Sequence, residues 1–365
     1  MFERHIHNLL ALVPRDRETV DLQDLFYRLT VDSGTELLFG TSCDSLREDD
    51  NYDANSSFAK ALDAAQGEML IRDILGPFLS LFLSEKKFRS SLKTVHDFID
   101  SYIRKALASF KEAEAKKESD KESGRYIFLQ EVARNTNDPL VLRWETMNVL
   151  IAGRDTTAVL LSNTWFILAR RPDVWAKLKA EVDKLEGKPP TYQEIGKMKY
   201  LRWVLSETLR LYPVLPINAR TALKDTTIPV GGGPDGKSPI FIPKDCEVMW
   251  NTWSMHRRKD LFGEDADEFI PERWEEIKPT WEYLPFNGGP RICLGREFSL
   301  SFPPTYVCLI DVGLEQYALT EASYTTVRMM QHIKSIEPRD SKPWTERMEL
   351  VTSNYNGCKV SVTFV

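Results

Sequence analysis

The sequence predicts a mainly α protein with small β-sheets, on three observations. Apolar residues recur at helical spacing in segment after segment from Arg4 to Leu211. After Tyr212-Pro213 the texture changes to short apolar runs separated by glycine-rich turns. The tail from Met348 to Val365 alternates apolar and polar residues, as strands do. Because the helical segments come first, the strands form a minor sheet region beside a helical body.

The elements follow in order. Arg4 to Val13 and Leu22 to Phe39 read as two helices, the first closed by Val13-Pro14. Phe58 to Met69 and Leu92 to Phe110 continue in the same manner, and the second runs into a charged stretch, Lys111 to Glu122, that reads as a solvated helix end and surface loop. Between them, Ile74 to Ser84 is apolar but interrupted by Gly76-Pro77 and too short to span a bilayer. It is either a buried helix-loop junction or a dip into a membrane surface. Arg143 to Arg171 is the longest helix candidate and would cross an entire domain. Pro172 ends it, Asp173 to Leu185 forms the next helix, and Thr191 with Glu194 gives a capping-box signature. Met198 to Leu211 completes the helical body. Ile228-Pro229-Val230, Ile240-Phe241-Ile242 and Val248-Met249-Trp250 read as strands.

A chain of 365 residues allows one domain or two, and the absence of a change of class before Tyr212 favours a single domain over 1–365. A hydrophobic fraction of 42% and a charged fraction of 28% are those of a globular protein and argue against disorder. The net charge of −6 speaks against general nucleic-acid binding. Cys43, Cys246, Cys293, Cys308 and Cys358 are scattered without a CxxC pair, which indicates neither a zinc site nor a disulfide framework and suggests a reducing, cytosol-facing environment. Met1 to His5 leads directly into a helical pattern, with no signal peptide or membrane span visible.

Three constellations carry chemistry. In Phe286-Asn287-Gly288-Gly289-Pro290-Arg291-Ile292-Cys293-Leu294-Gly295 one cysteine closes a glycine-rich loop. Gly288, Gly289 and Gly295 allow close approach of backbone to a planar ligand, and loop N–H groups can stabilise a thiolate. Arg291 offers a fixed charge for a cofactor carboxylate. A lone cysteine is otherwise a small buried hydrophobe. Ala152-Gly153-Arg154-Asp155-Thr156-Thr157 sits mid-helix although glycine costs about 1 kcal/mol there relative to alanine. Gly153 clears space for a ligand, Thr156 can turn its hydroxyl onto preceding carbonyls and open the helix, and Asp155 adjoins as a proton source. Ordinary helix packing with a surface aspartate is the competing reading. Glu207 and Arg210 are i, i+3 neighbours whose value depends on burial.

Together with Pro271-Glu272-Arg273-Trp274, these segments strongly resemble the cytochrome P-450 superfamily of haem-thiolate monooxygenases, from about Asp21 to the C-terminus. The resemblance implies the P-450 fold and haem b, with Cys293 as axial ligand to the iron. It places Phe286, Gly289 and Gly295 at diagnostic loop positions, Arg291 and Arg220 at propionates with His256 as a weaker candidate, and Glu207, Arg210 and Arg273 in a network that holds the cysteine loop. Asp155 and Thr156 would deliver protons through ordered water. Electrons would come from NADPH through a separate flavoprotein reductase, and O₂ would be the oxidant. Asp24 to Arg28 with Asp32-Ser33, Gly231 to Ile242 and Met255 to Asp260 are similar to the fungal branch that hydroxylates n-alkanes and fatty acids near the chain end. That implies a lipophilic substrate and, for a full-length enzyme, the cytosolic face of the endoplasmic reticulum membrane.

Two departures from the family are expected to matter. The chain starts where the family's fourth helix starts, which implies an incomplete N-terminus without the anchor and with one side of the haem pocket open. Then Glu297 to Glu315, 19 residues containing Pro303-Pro304, separates Cys293-Leu294-Gly295 from the helix pattern that resumes at Gln316. A retained intron explains it. Arg296-Glu297-Phe298 can encode a donor-like GTGAGT and Leu314-Glu315 an acceptor TAG, and excision would restore one Gln codon. A true surface insertion is the alternative.

Overall fold

The computed structural model describes residues 1–47, 54–80, 82–116, 127–294 and 317–365. Helix α1 covers Phe2–Leu12, strand β1 is the short Val20–Asp21, and α2 covers Leu22–Phe39, its bounds matching the helical pattern at both ends. Asp21 caps α2 by accepting from the Gln23 N–H, and Gly40 closes it in the left-handed conformation at φ 77°. Helix α3 (Ala54–Ser80) is longer than the pattern from Phe58 to Met69, because it carries on through Gly76, where φ 68° and ψ 174° break the helical path. The apolar run around Gly76-Pro77 is thus largely helix with a sharp bend. Helix α4 (Glu85–Lys116) and the short α5 (Phe128–Ala133) follow.

The longest helix predicted from Arg143 becomes α6, Pro139–Arg170. It starts four residues earlier because Asp138 accepts from the Leu140 N–H and Pro139 occupies the first turn, where no hydrogen is needed. Its 32 residues span about 48 Å at 1.5 Å per residue. It then gives way at Pro172 to α7 (Pro172–Val182). The capping box at Thr191 and Glu194 is made in both directions and starts α8 (Tyr192–Lys197), and α9 is Lys199–Leu211.

Beyond α9, strands β2 (Ile217–Thr221), β3 (Thr226–Gly232), β4 (Ser238–Ile242) and β5 (Glu247–Asn251) make two antiparallel pairs, β2 with β5 and β3 with β4. Short helices α10 (Thr252–Met255) and α11 (Lys259–Phe262) lead into an irregular stretch. At the end come α12 (Tyr317–His332), β6 (Ile333–Pro338), the β7–β8 hairpin (Glu346–Met348 and Thr352–Asn354) and β9 (Lys359–Phe364). Strand β9 lies between β1 and β6 in an antiparallel sheet, which ties the start of the chain to its end. A two-residue strand carries no pattern, so β1 was not legible. Among the described residues no helix is long and apolar enough to cross a membrane. The stretch from 297 to 315, with the intron expected there, lies outside the described residues.

Helix α6 joins two apolar cores. Its C-terminal half, Ala158 to Ala169, packs with α1, α2, α7, α9, α12, β6 and β9 around Trp165, which is fully buried 6.2 Å from Phe26 and 6.0 Å from Trp175. Truncating such a side chain costs about 3 to 5 kcal/mol. Its N-terminal half contributes Leu142 and Leu150 to a second core with α3 and α4, where Phe58 stacks on Phe98 at 4.0 Å and Phe39 on Tyr102 at 4.5 Å. A bidentate pair from Arg143 to Asp100, 2.7 and 2.5 Å, fixes α4 against α6. The Ile151-to-Thr157 segment falls between these two cores.

Candidate functional site

The site is built on a buried ion network. Glu207 and Arg210 are both fully buried on α9 and meet through two parallel bonds of 2.9 and 2.8 Å. Arg273 Nε donates to Glu207 Oε1 at 2.9 Å, Trp274 Nε1 to Oε2 at 3.0 Å, and the Ile270 N–H to Oε1 at 2.9 Å. The carboxylate is therefore saturated, which offsets the desolvation that makes buried ions expensive. Arg210 spends its remaining hydrogens on the carbonyls of His256, Ala266 and Glu268 at 2.8, 2.5 and 3.0 Å. Arg273 does the same with Phe262 and Asp265 at 3.0 Å each. Two arginines and one glutamate thus hold an irregular segment that has little secondary structure of its own.

From this anchor the chain is handed to the glycine-rich loop. Tyr283 donates to the Ser206 carbonyl at 3.0 Å and its ring lies 4.6 Å from Trp274. The Leu284 N–H donates to His256 Nε2 at 3.0 Å. Asn287 (φ 61°) and Gly289 (φ 71°) turn in the left-handed region before the tight turn at Gly289–Arg291, and the Cys293 N–H donates to the Phe286 carbonyl at 2.9 Å. Phe286 packs against the main core, whereas Cys293 is exposed. Gly295 lies outside the described residues.

Strands β2 and β5 face this loop. Arg220 on β2 pairs with Val248, and its guanidinium lies 5.1 Å from the Trp250 ring. Asn287 Nδ2 donates to Asn218 Oδ1 on β2 at 3.0 Å, fixing the loop to the sheet. Between them lies a cleft of about 470 Å³, lined by Arg220, Trp250, Met255, Trp281, Leu284, Asn287, Gly288, Pro290 and Arg291. Its lining extends along the loop as far as Arg291, two residues before Cys293. Neither Arg220 nor Arg291 forms an ion pair with a carboxylate among the described residues.

His256 lies buried beneath the loop. Its ring is fully buried against Tyr283 and Phe262, where Nε2 accepts from the Leu284 amide and Nδ1 has no hydrogen-bond partner among the described residues. Burial pushes the imidazole down to about 4, and a neutral ring offers no charge to a propionate.

On α6, Thr156 donates to the Ala152 carbonyl at 2.7 Å, as its position allows. The helix nevertheless stays α-helical through this point, because the hydroxyl bonds beside the backbone ladder and does not replace it. Ala152 is exposed, Thr156 and Gly153 are half-buried, and a Cβ on Gly153 would meet nothing within 4 Å. This face is open. Asp155 is turned away from it: buried, it accepts from Gln66 at 2.8 Å and from Arg154 at 3.0 Å. Burial raises its proton affinity above that of an ordinary aspartate, against the Arg154 charge and the Gln66 bond. The expected neighbourhood of Asp155 and Thr156 is therefore sequential, with their side chains on different faces.

A cytochrome P450 family model matches residues 2–301. The chain belongs to the cytochrome P450 family. Relatives of this cytochrome P450 include the cytochrome P450 monooxygenase himC of Aspergillus japonicus, 42% identical over 99% of this chain and 62% of the relative. The cytochrome P450 monooxygenase fsdH of Fusarium heterosporum is 41% identical over the same shares, and cytochrome P450 52A13 of Debaryomyces hansenii is 42% identical over 99% of this chain and 68% of its own length. The chain thus spans about 62% of the length of the first two.

The family's cofactor is haem, and the residues here fit it. Two guanidiniums with no carboxylate partner among the described residues border a cleft walled by two tryptophans, a methionine and a leucine, which suits a flat apolar ring bearing two carboxylates. Gly289 has no atom within 4 Å of where a Cβ would stand, leaving room for close approach to the backbone. Trp281 escaped the sequence reading because an isolated aromatic carries no periodic signal, while Trp250 and Met255 were read only as parts of a strand and of the Met255–Asp260 segment. Trp274 was visible only as part of the Pro271–Trp274 segment.

Proposed function

We propose that this chain is the haem-binding part of a monooxygenase that inserts one oxygen atom of O₂ into an unactivated C–H bond of a lipophilic substrate. The observation that carries the reading is the cleft with Arg220 and Arg291 at its border, on a loop that ends in Cys293 and is held by the Glu207 network. Cys293 as thiolate would hold the haem iron, and Arg220 and Arg291 would take the two propionates. Phe286, Gly289 and Gly295 shape the loop, while Glu207, Arg210 and Arg273 keep it in place across residues 256–274. When bound, haem supplies the oxygen chemistry, with a thiolate ligand favouring O–O cleavage. Thr156 orders water on the open face of α6 and Asp155 supplies the proton from the other side of the same turn. The single domain proposed over 1–365 has α6 as its spine.

Electrons come from NADPH through a flavoprotein reductase. We assign the substrate to the n-alkane or fatty-acid class, hydroxylated near the chain end, on the resemblance at Asp24 to Arg28, Gly231 to Ile242 and Met255 to Asp260. Val149 and Ile151, half-buried in the turn before Gly153, give an apolar approach to the open face, with Leu150 behind them in the second core. In the longer protein the enzyme sits on the cytosolic face of the endoplasmic reticulum membrane.

The test is spectroscopic. Haem-reconstituted chain, reduced under carbon monoxide, is expected to show a strongly red-shifted Soret band that Cys293→Ser abolishes. A band at the position of a neutral ligand, unchanged by that substitution, would overturn the thiolate assignment. Product formation coupled to NADPH use, with reductase and a panel of alkanes and fatty acids, tests the substrate class. Haem binding without turnover would leave a binding protein in place of an enzyme.

A further inference from the structure

The buried face of α6 opposite Thr156 holds charged groups to which the chemistry above gives no task. Arg154 is 3% exposed, yet its guanidinium reaches two carboxylates: Asp155 at 3.0 Å on its own helix and Asp63 at 2.5 Å on α3. Asp63 is 58% exposed and Asp155 only 7%. Gln66, one turn along α3 from Asp63, donates to Asp155 Oδ2 at 2.8 Å and accepts from Arg154 at 3.4 Å. The Tyr27 ring of α2 lies 5.3 Å from the guanidinium. Arg154 Nε is buried without a hydrogen-bond partner among the described residues, so the cluster keeps an unmet donor in its interior.

This geometry sets up a competition. Arginine stays charged, so Arg154 cannot pass a proton on. It can only divide its charge between two carboxylates. Whatever Asp63 draws from it is lost to Asp155, which then holds a proton more readily. The Gln66 bond works in the opposite sense, because an amide donor favours the ionised carboxylate.

We propose that Asp63 and Gln66 of α3 are positioning residues for Asp155, Asp63 by drawing on the charge of Arg154 and Gln66 by donating to the carboxylate. In this way α3 sets how readily the acid of the central helix takes up and gives back its proton. Among the described residues, the other charged or titratable groups facing Asp155 are Arg154 itself, Tyr27 of α2 and, at longer range, Glu349 after β7. The inference rests on the reading of Asp155 as the proton-delivering acid.

The test reads Asp155 directly in the haem-free chain, by ¹³C NMR of its labelled side-chain carboxyl, with Asp155→Asn to assign the resonance. Gln66→Leu is expected to move the Asp155 midpoint up and Asp63→Asn to move it down, while Asp63→Glu restores the original value. Midpoints that stay put, or that move the same way in Gln66→Leu and Asp63→Asn, overturn the proposal. If Gln66→Leu does not fold, Asp63→Asn at its exposed position decides alone: a downward shift supports the proposal, and no shift or an upward one overturns it. Because haem is absent from this titration, a failed thiolate spectrum would remove the reaction while leaving the midpoints readable. A failed titration would likewise leave the thiolate spectrum intact.

Discussion

The N–H of Leu284 donates to Nε2 of His256 at 3.0 Å, and the carbonyl of His256 accepts from Arg210 at 2.8 Å. One buried histidine therefore connects the Glu207 network to Leu284 in the cleft wall. Because Nε2 must accept, the proton of the neutral ring sits on Nδ1.

This bond gives a pH signature. The folded-state pKa of His256 is pushed down to about 4, below the ordinary value of 6.5, so the unfolded chain binds the extra proton first. Its contribution is complete above 6.5 and is lost as pH falls towards 4, on the order of 3 kcal/mol at 1.36 kcal/mol per unit. His256→Asn is expected to show a shallower loss of unfolding free energy than the parent over that window, in urea titrations at stepped pH.

Glu321 on α12 gives the opposite slope. It is fully buried, accepts from the Ser33 hydroxyl, and leaves its second oxygen without a partner among the described residues. Burial raises it from 4.5 to about 8, so its contribution is complete below 4.5 and is lost as pH rises through 8. Glu321→Gln should remove this loss, and thermal unfolding at pH 6 and pH 9 should then differ less than in the parent. An unchanged difference would contradict a protonated Glu321.

Breaking the ion network should cost more than a surface change. Glu207→Ala leaves Arg210 buried among carbonyls without its counter-charge, which typically costs about 3 to 5 kcal/mol. The same substitution should lower haem retention after gel filtration, since Arg273 and Trp274 lose their common acceptor as well. Folded, haem-retaining protein of parental stability would show the network to be dispensable.

Glycine loop substitutions should separate steric from backbone effects. A Cβ on Gly288 would stand 2.6 Å from Trp281 Cζ3, so Gly288→Ala must displace a ring that lines the cleft. Gly289→Ala meets no atom but must adopt φ 71°, a strain of roughly 1 to 2 kcal/mol. Haem titration of both variants is expected to weaken affinity more for Gly288→Ala, with thermal stability falling in both.

Much of this protein follows from sequence alone. The bounds of α2, the capping box at Thr191 and the β3–β4 hairpin are local events, decided by apolar period, capping side chains and glycine turns within a few residues, whereas β2 and its pairing with β5 were not legible. Cys293, Glu207 and Arg210 stand out because their motifs are contiguous. Tertiary structure alone decided what lies between distant segments. It brought β1 beside β9, buried His256 beneath the glycine-rich loop, and turned Asp155 towards Gln66 of α3 and away from the open face of Thr156. The physical reason is that burial and long-range hydrogen bonds depend on which faces meet, and a one-residue step along a helix turns the side chain by about 100°, as for Thr156 after Asp155. The sequence names the groups available for chemistry, and the packing of α3 on α6 decides which of them face one another.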